Sequence, residues 1–196
     1  YFIYQYIPHP LCIYEDVCKL SPGHFAVFKQ GQLKVTKYWH PDFNQRTSLT
    51  ASEIPDKIAN LLTDSVKLRL QSDVPVGAFL SGGVDSSIMV ALMQRHANQQ
   101  VQTFSIGFPI KAYDESTYAR QVANHLGTDH HEFMVEPSAV EILPSLVRHY
   151  DEPFSDSSAI PTWYVSQFTR QHVTVAISGD GGDELFAGYP RYKAIK

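Results

Sequence analysis

An α/β fold built on a parallel sheet, with helices on both faces, is what the sequence predicts. Three observations predict it. From residue 52 onward, short apolar β-rich runs alternate with segments of helical period. Of the 196 residues, 43% are hydrophobic, enough to bury a core. Glycine-rich loops carrying carboxylates and serines follow two of the predicted strands, and open parallel sheets bind ligands beyond the carboxyl ends of their strands.

The elements follow in order. Residues 1–45 read as β. Within them PGHFAVFKQGQLKVTKYW predicts a hairpin, Phe25 and Val27 against Leu33 and Val35, turning at Gln30-Gly31. A lone hairpin is not stable by itself, so this part must lean on other structure. The polar stretch 40–52 reads as a linker. A helix starts at Ser52, with Ile54, Ile58, Leu61, Leu62 and Val66 on one face. Residues 76–80 are a short buried strand. Ser86–Ala97 is a helix with Ile88, Ala91 and Leu92 inward. Residues 101–108 are a strand, and Asp114–Leu126 a helix closed by Gly127. A strand at 131–135, a helix at 139–150 containing Pro144, a helix at 157–171 and a strand at 173–178 complete the series. Alternation of this kind builds right-handed βαβ units. The division expected is 1–45 as one piece and 52–196 as an α/β domain.

Bulk properties exclude several classes. A net charge of -4 argues against a nucleic-acid partner, which needs a basic surface. Cys12 and Cys18 are too few for a disulfide framework and lack the nearby Cys or His partners of a zinc site. No apolar run reaches the ~18 residues of a membrane span, and no signal peptide is in view after Tyr1.

The chemistry gathers in two loops. In SGGVDSS, residues 81–87, Gly82 and Gly83 allow a tight turn that aims backbone N–H groups at one point. That point is a helix N-terminus, where the dipole favours an anion. Ser81, Ser86 and Ser87 add hydroxyls. Neither a Walker A loop nor a GxGxxG fingerprint is present. A carboxylate inside an anion cradle requires a cation between it and the phosphate, so Asp85 predicts Mg²⁺. The bland alternative is a serine-capped helix start with Asp85 favouring the dipole. SGDGGDELFAGY, residues 178–189, repeats the device: Asp180 and Asp183 flank two glycines and can serve one site, one on a metal and one on a proton. Its alternative is a glycine-rich surface turn with solvated acids. The loops meet only if their strands are neighbours. His130-His131 has no third ligand at short spacing, which argues against a metal there. Tyr189, Arg191 and Lys193 read equally as a positive charge near phosphate or as an exposed basic turn.

FLSGGVDSS resembles the pyrophosphate loop of the ATP-pyrophosphatase enzymes. Together with SIGF (105–108), YDESTYARQVANHLGTDHHEF (113–133), DEPFSDSSAIPTW (151–163) and SGDGGDELFAGY, it makes the chain similar to the glutamine-dependent asparagine synthetases over nearly its whole length. The resemblance implies an adenine nucleotide alpha hydrolase-like domain at 52–196, with 1–45 as the end of an N-terminal glutaminase domain. It implies a ligase: ATP converts aspartate to an acyl-adenylate with release of pyrophosphate, and ammonia from glutamine displaces AMP. Ser81, Gly82, Gly83, Asp85, Ser86 and Ser87 match the pyrophosphate loop, Asp85 and Asp183 the metal carboxylates, and Phe79, Ile106 and Gly179 the adenosine contacts. Asp180 stands where relatives carry the glutamate proposed to deprotonate the attacking ammonium, and reaches one methylene less. Asp114 and Glu115 match a family signature without an assigned role.

Further expectations come with the resemblance. The family's N-terminal nucleophilic cysteine is matched by neither Cys12 nor Cys18, so the chain reads as an internal segment that does not hydrolyse glutamine, with activity in isolation left open. A cytoplasmic location and a homodimer of the intact enzyme are also expected. The alternative function is an amidotransferase or β-lactam synthetase-like ligase adenylating another carboxylate. A third is a nucleotide-binding module without chemistry, against which Asp85 and Asp183 speak.

Overall fold

The two-residue turn Gln30-Gly31 sets the geometry of the first element pair. Both residues are left-handed, at φ 53° and 76°, the conformation of the hairpin turns that match strand twist. Strands β1 (His24–Lys29) and β2 (Gln32–Lys37) pair antiparallel across it. In the computed structural model, which describes residues 1–111, 114–136 and 138–194, this hairpin belongs to a unit made of Tyr1–Leu49 and Ser138–Ala159. A second unit comprises Thr50–Pro137 and Ile160–Lys196.

Two sequence expectations are corrected in the first unit. Regular β structure is confined to β1 and β2 rather than running through 1–45. The register also differs. Phe28 faces Leu33 and Ala26 faces Val35, while Phe25 faces Thr36 and Val27 faces Lys34. A two-residue loop pairs odd positions with even ones, so Phe25 and Val27 lie on the opposite face from Leu33 and Val35. Helix α4 (Ala139–Tyr150) spans the predicted residues. Its segment joins the N-terminal residues: Ser155 N–H donates to the Gln5 carbonyl at 2.9 Å, and the Lys19 ammonium bonds the Ile7 carbonyl and pairs with Glu152.

The second unit begins with a capping arrangement. Thr50 donates its backbone N–H and its hydroxyl to the Glu53 carboxylate at 2.8 and 2.7 Å, holding that carboxyl below its usual range. Helix α1 (Ile54–Leu70) follows. Its inward stripe is Ile54, Ile58, Leu62, Val66 and Leu70 at four-residue spacing; Leu61 faces outward at 56% exposure, against expectation. Four strands form a parallel sheet: β3 (Val76–Phe79), β4 (Gln102–Gly107), β5 (Asp129–Met134) and β6 (Val175–Ile177), in the order β5-β4-β3-β6. Between them lie α2 (Val84–His96), α3 (Ser116–Leu126, closed by left-handed Gly127) and α5 (Ala159–Thr169). In α2 the inward residues are Ser86, Val90 and Met93; Ile88 is exposed. The run IMVALM is apolar nearly all round, so its period does not single out a face.

Helices cover both faces of the sheet, as strand alternation requires. On one face Thr103 and Ser105 of β4 bond His130 of β5, and Arg120 of α3 makes a bidentate ion pair with Glu132. On the other, Phe104, His131 and Phe133 pack against Phe168 of α5 and His172. Val66, Ala78, Leu80, Val90, Met93, Val101, Ala119, Ala123 and Ile177 form the buried core. Among the described residues no helix is long and apolar enough to cross a membrane.

Candidate nucleotide site

Strand order decides where a site forms. The chain leaves β3 toward β4 and β5, then returns to lay β6 on the other side of β3. The pair β3–β6 is parallel, with Val76 opposite Val175, Gly77 opposite Ala176 and Ala78 opposite Ile177. This is a reversal of strand order, the place where such sheets open a crevice at their carboxyl ends. Both glycine loops leave the sheet there.

The first loop is tied from within. Leu80 N–H still bonds the Phe104 carbonyl at 2.9 Å. The chain then turns at Gly82, left-handed at φ 82°. A Cβ on Gly82 would sit 2.5 Å from the Tyr118 carbonyl carbon and 2.6 Å from the Ala119 nitrogen, so the turn rests on the first turns of α3. Ser86, only 8% exposed, points its hydroxyl back into the loop. It lies 3.0 Å from Ser81 Oγ, accepts from Ser81 N–H at 3.3 Å and donates to the Gly83 carbonyl at 3.3 Å. Gly83 N–H donates to Ser81 Oγ at 3.2 Å. Among the described residues no side chain caps α2, so its first amides are left unsatisfied by the helix itself. The Ser87 hydroxyl is buried without a hydrogen-bond partner among the described residues.

In the second loop Ser178 Oγ donates to Asp180 Oδ2 at 2.8 Å. Left-handed Gly181 (φ 94°) leads into a short helix α6 (Gly182–Phe186), followed by α7 (Pro190–Ala194); neither helix is expected from the sequence. Tyr189 donates its hydroxyl to Glu184 at 2.8 Å, which lowers the carboxyl's pKa and raises that of the phenol. Arg191 lies 4.5 Å over the Tyr189 ring. The Lys193 side chain lies outside the described residues, as does Tyr113 of the signature segment.

The loops touch. A Cβ on Gly179 would sit 2.7 Å from the Ser86 nitrogen, and one on Gly182 would overlap the Asp85 carboxylate. Asp85, in the first turn of α2, and Asp183, in α6, are both half-buried. Neither carboxylate accepts a hydrogen bond or meets a cation among the described residues. Asp85 and Asp183 offer oxygen donors of the kind Mg²⁺ takes, and Gly182, the residue before Asp183, meets the Asp85 carboxylate. Among the described residues no group of three or more His, Cys, Asp or Glu gathers in metal-binding geometry. His130 and His131 point to opposite faces of β5, each in its own contacts.

A cavity of about 300 Å³ opens beside the first loop. Of the expected adenosine contacts, Phe79 and Ile106 line it, together with Ser81; Gly179 instead sits at the contact between the loops. Phe108, Glu115, Pro161, Thr162 and Val165 are among the other lining residues. Sequence reading quoted Phe108, Glu115, Pro161 and Thr162 within family segments but gave them no role, and it did not single out Val165. Glu115 falls in a strand-end loop, and the α5 residues fall in a segment read only as a helix.

The family model described as asparagine synthase matches residues 57–196. A putative asparagine synthetase (glutamine-hydrolyzing) 2 from Methanocaldococcus jannaschii is 41% identical over 194 residues, covering 96% of this chain and 37% of its own length. Asparagine synthetase (glutamine-hydrolyzing) 1 from Bacillus subtilis is 34% identical over 195 residues, covering 98% of this chain and 30% of its own length. The chain thus spans about a third of the length of these curated relatives. Among solved structures, an NH3-dependent NAD synthetase from Campylobacter jejuni overlaps 68% of this chain and 60% of its own, at 17% identity and a TM-score of 0.46.

Proposed function

The chain belongs to the asparagine synthase family, and on that premise we propose that it carries the ATP-cleaving site of an enzyme that amidates aspartate to asparagine. The observation that carries this reading is the packing of Gly179 and Gly182 against Ser86 and Asp85, which makes one site of two loops.

In this reading the adenosine of ATP lies against Phe79 and Ile106, and its phosphates extend over Ser81, Gly82 and Gly83 to the start of α2. The backbone amides of that cradle stabilise the charge that builds on pyrophosphate as it leaves. Asp85 and Asp183 would hold Mg²⁺, which supplies further neutralisation of phosphate charge. Positioning accounts for most of the first step: a side-chain carboxylate oxygen of aspartate bonds to the α-phosphorus while the bond to the bridging oxygen of pyrophosphate breaks. In the second step ammonia, derived from glutamine in the whole enzyme, attacks the acyl carbon and AMP departs. Asp180, oriented by Ser178 Oγ at 2.8 Å, takes a proton from the new nitrogen.

Aspartate-stimulated exchange of pyrophosphate into ATP tests the assignment in the protein at its natural length. Asp85→Ala is expected to abolish exchange. Normal exchange in that variant, or a response to another acid but none to aspartate, would reject the reading.

A further inference from the structure

The signature pair Asp114-Glu115 divides into two roles. Asp114 is half-buried and turned inward: its carboxylate accepts the Ser116 N–H at 3.1 Å and lies beside Gly107 at the end of β4, where a Cβ would come within 3.2 Å of Oδ1. It holds the entry to α3. Glu115 does none of this. It is the residue before α3, with no side-chain cap bond, and its carboxylate has no hydrogen bond or ion pair among the described residues. It is also the one charged residue among the described residues lining the cavity.

Glu115 is exposed at the lining of a cleft walled by Phe79, Ile106, Phe108, Pro161 and Val165, and a carboxylate at such a cleft repels phosphate and attracts hydrogen-bond donors. A nucleotide offers two kinds of donor, the exocyclic amine of the base and the sugar hydroxyls. Position distinguishes them. The Glu115 carbonyl accepts from Tyr118 and Ala119 N–H at 3.0 and 3.1 Å, and those same residues support Gly82. The Glu115 backbone therefore lies one helical turn from the Gly82 loop, which in the nucleotide reading is the phosphate end of the cleft. The group next to the phosphates in a nucleotide is the sugar.

We infer that Glu115 recognises the ribose hydroxyls of the bound nucleotide and so selects ribonucleotides. The inference rests on the nucleotide reading of this cleft. Calorimetry on the protein at its natural length, with ATP, 2′-deoxy-ATP, 3′-deoxy-ATP and inosine triphosphate, tests it without turnover. A hydrogen bond to a charged group is worth about tenfold or more in affinity. The unaltered protein is expected to bind at least one deoxy analogue about tenfold more weakly than ATP. Glu115→Ala is expected to bind ATP about tenfold more weakly and the deoxy analogues no worse than ATP. Glu115→Gln, which keeps size and helix start, is expected to retain part of the discrimination. Retention of the full ratio in Glu115→Ala overturns the proposal. So does a variant that loses only the preference for ATP over inosine triphosphate, which would put the carboxylate at the base. Absence of ATP binding by the unaltered protein overturns the nucleotide reading itself, a different failure from the other two.

Discussion

Replacing Gly179 with alanine is the sharpest test of the two-loop site. The new methyl carbon would lie 2.7 Å from the Ser86 nitrogen, 3.0 Å from the Asp85 carbonyl carbon and 3.1 Å from Ser86 Cα. Ordinary contact begins near 3.4 Å, so the two loops must part by about 0.7 Å, the difference between 3.4 and 2.7 Å. All three atoms are backbone in the first turn of α2, and no rotamer change relieves them. Overpacking of this kind costs about 1–3 kcal/mol. The displaced turn carries Asp85 and the phosphate cradle, and a misplacement approaching 1 Å lowers rates on the order of 100-fold. Urea denaturation should therefore show a stability loss of about 1–3 kcal/mol, and aspartate-dependent exchange should fall by roughly two orders of magnitude. Gly181→Ala is the control. A Cβ there meets nothing within 4 Å, so only its left-handed backbone is strained, by about 1–2 kcal/mol, with exchange largely kept. Wild-type stability and exchange in Gly179→Ala would refute the contact between the loops.

Two further predictions concern the scaffold. Phe104 has no exposed surface and packs against the rings of His131, Phe168 and His172; Phe104→Ala should lower stability by about 3–5 kcal/mol in urea denaturation, whereas Phe104→Leu should cost markedly less. Burial pushes the His130 imidazole below its ordinary pKa of 6.5, a neighbouring Glu132 opposing and His131 and Arg120 adding to the shift. A depressed pKa means the unfolded chain takes up the proton first, so the stability is fully present above 6.5 and is lost as pH falls through the folded value. Comparing urea midpoints at neutral and mildly acidic pH, His130→Gln should show a shallower loss than the unaltered protein; an identical slope would exclude His130 as its source.

Much of this was legible in the sequence because local physics sufficed. Turn chemistry located the hairpin at Gln30-Gly31, and Gly127 closed α3 as expected. Strands β3 to β6 appeared where apolar β-rich runs were read, and β3 and β6 are the two that end in glycine loops. What failed were inferences that local pattern does not determine. The hairpin register depends on parity across the turn, which similar apolar residues on both faces conceal. Leu61 and Ile88 were placed inward because both helices offer apolar residues on more than one stripe. The association of 138–159 with the N-terminal residues rests on contacts such as Ser155 to Gln5, far apart in sequence.

Strand order is the step that local reading never reaches, and function turns on it. Each glycine loop alone is satisfied by a plain explanation, a capped helix start or a solvated turn. Those explanations require small residues for the turn itself and nothing more. The pairing of β3 with β6 adds a second demand, because Gly179 and Gly182 are small where they meet Ser86 and Asp85, not only where the chain bends. Solvated turns have no need of glycine at a mutual contact. The proposed site, with the carboxylates of Asp85 and Asp183 turned toward one phosphate, does, because a side chain between the loops would push apart the two segments that the proposal brings together.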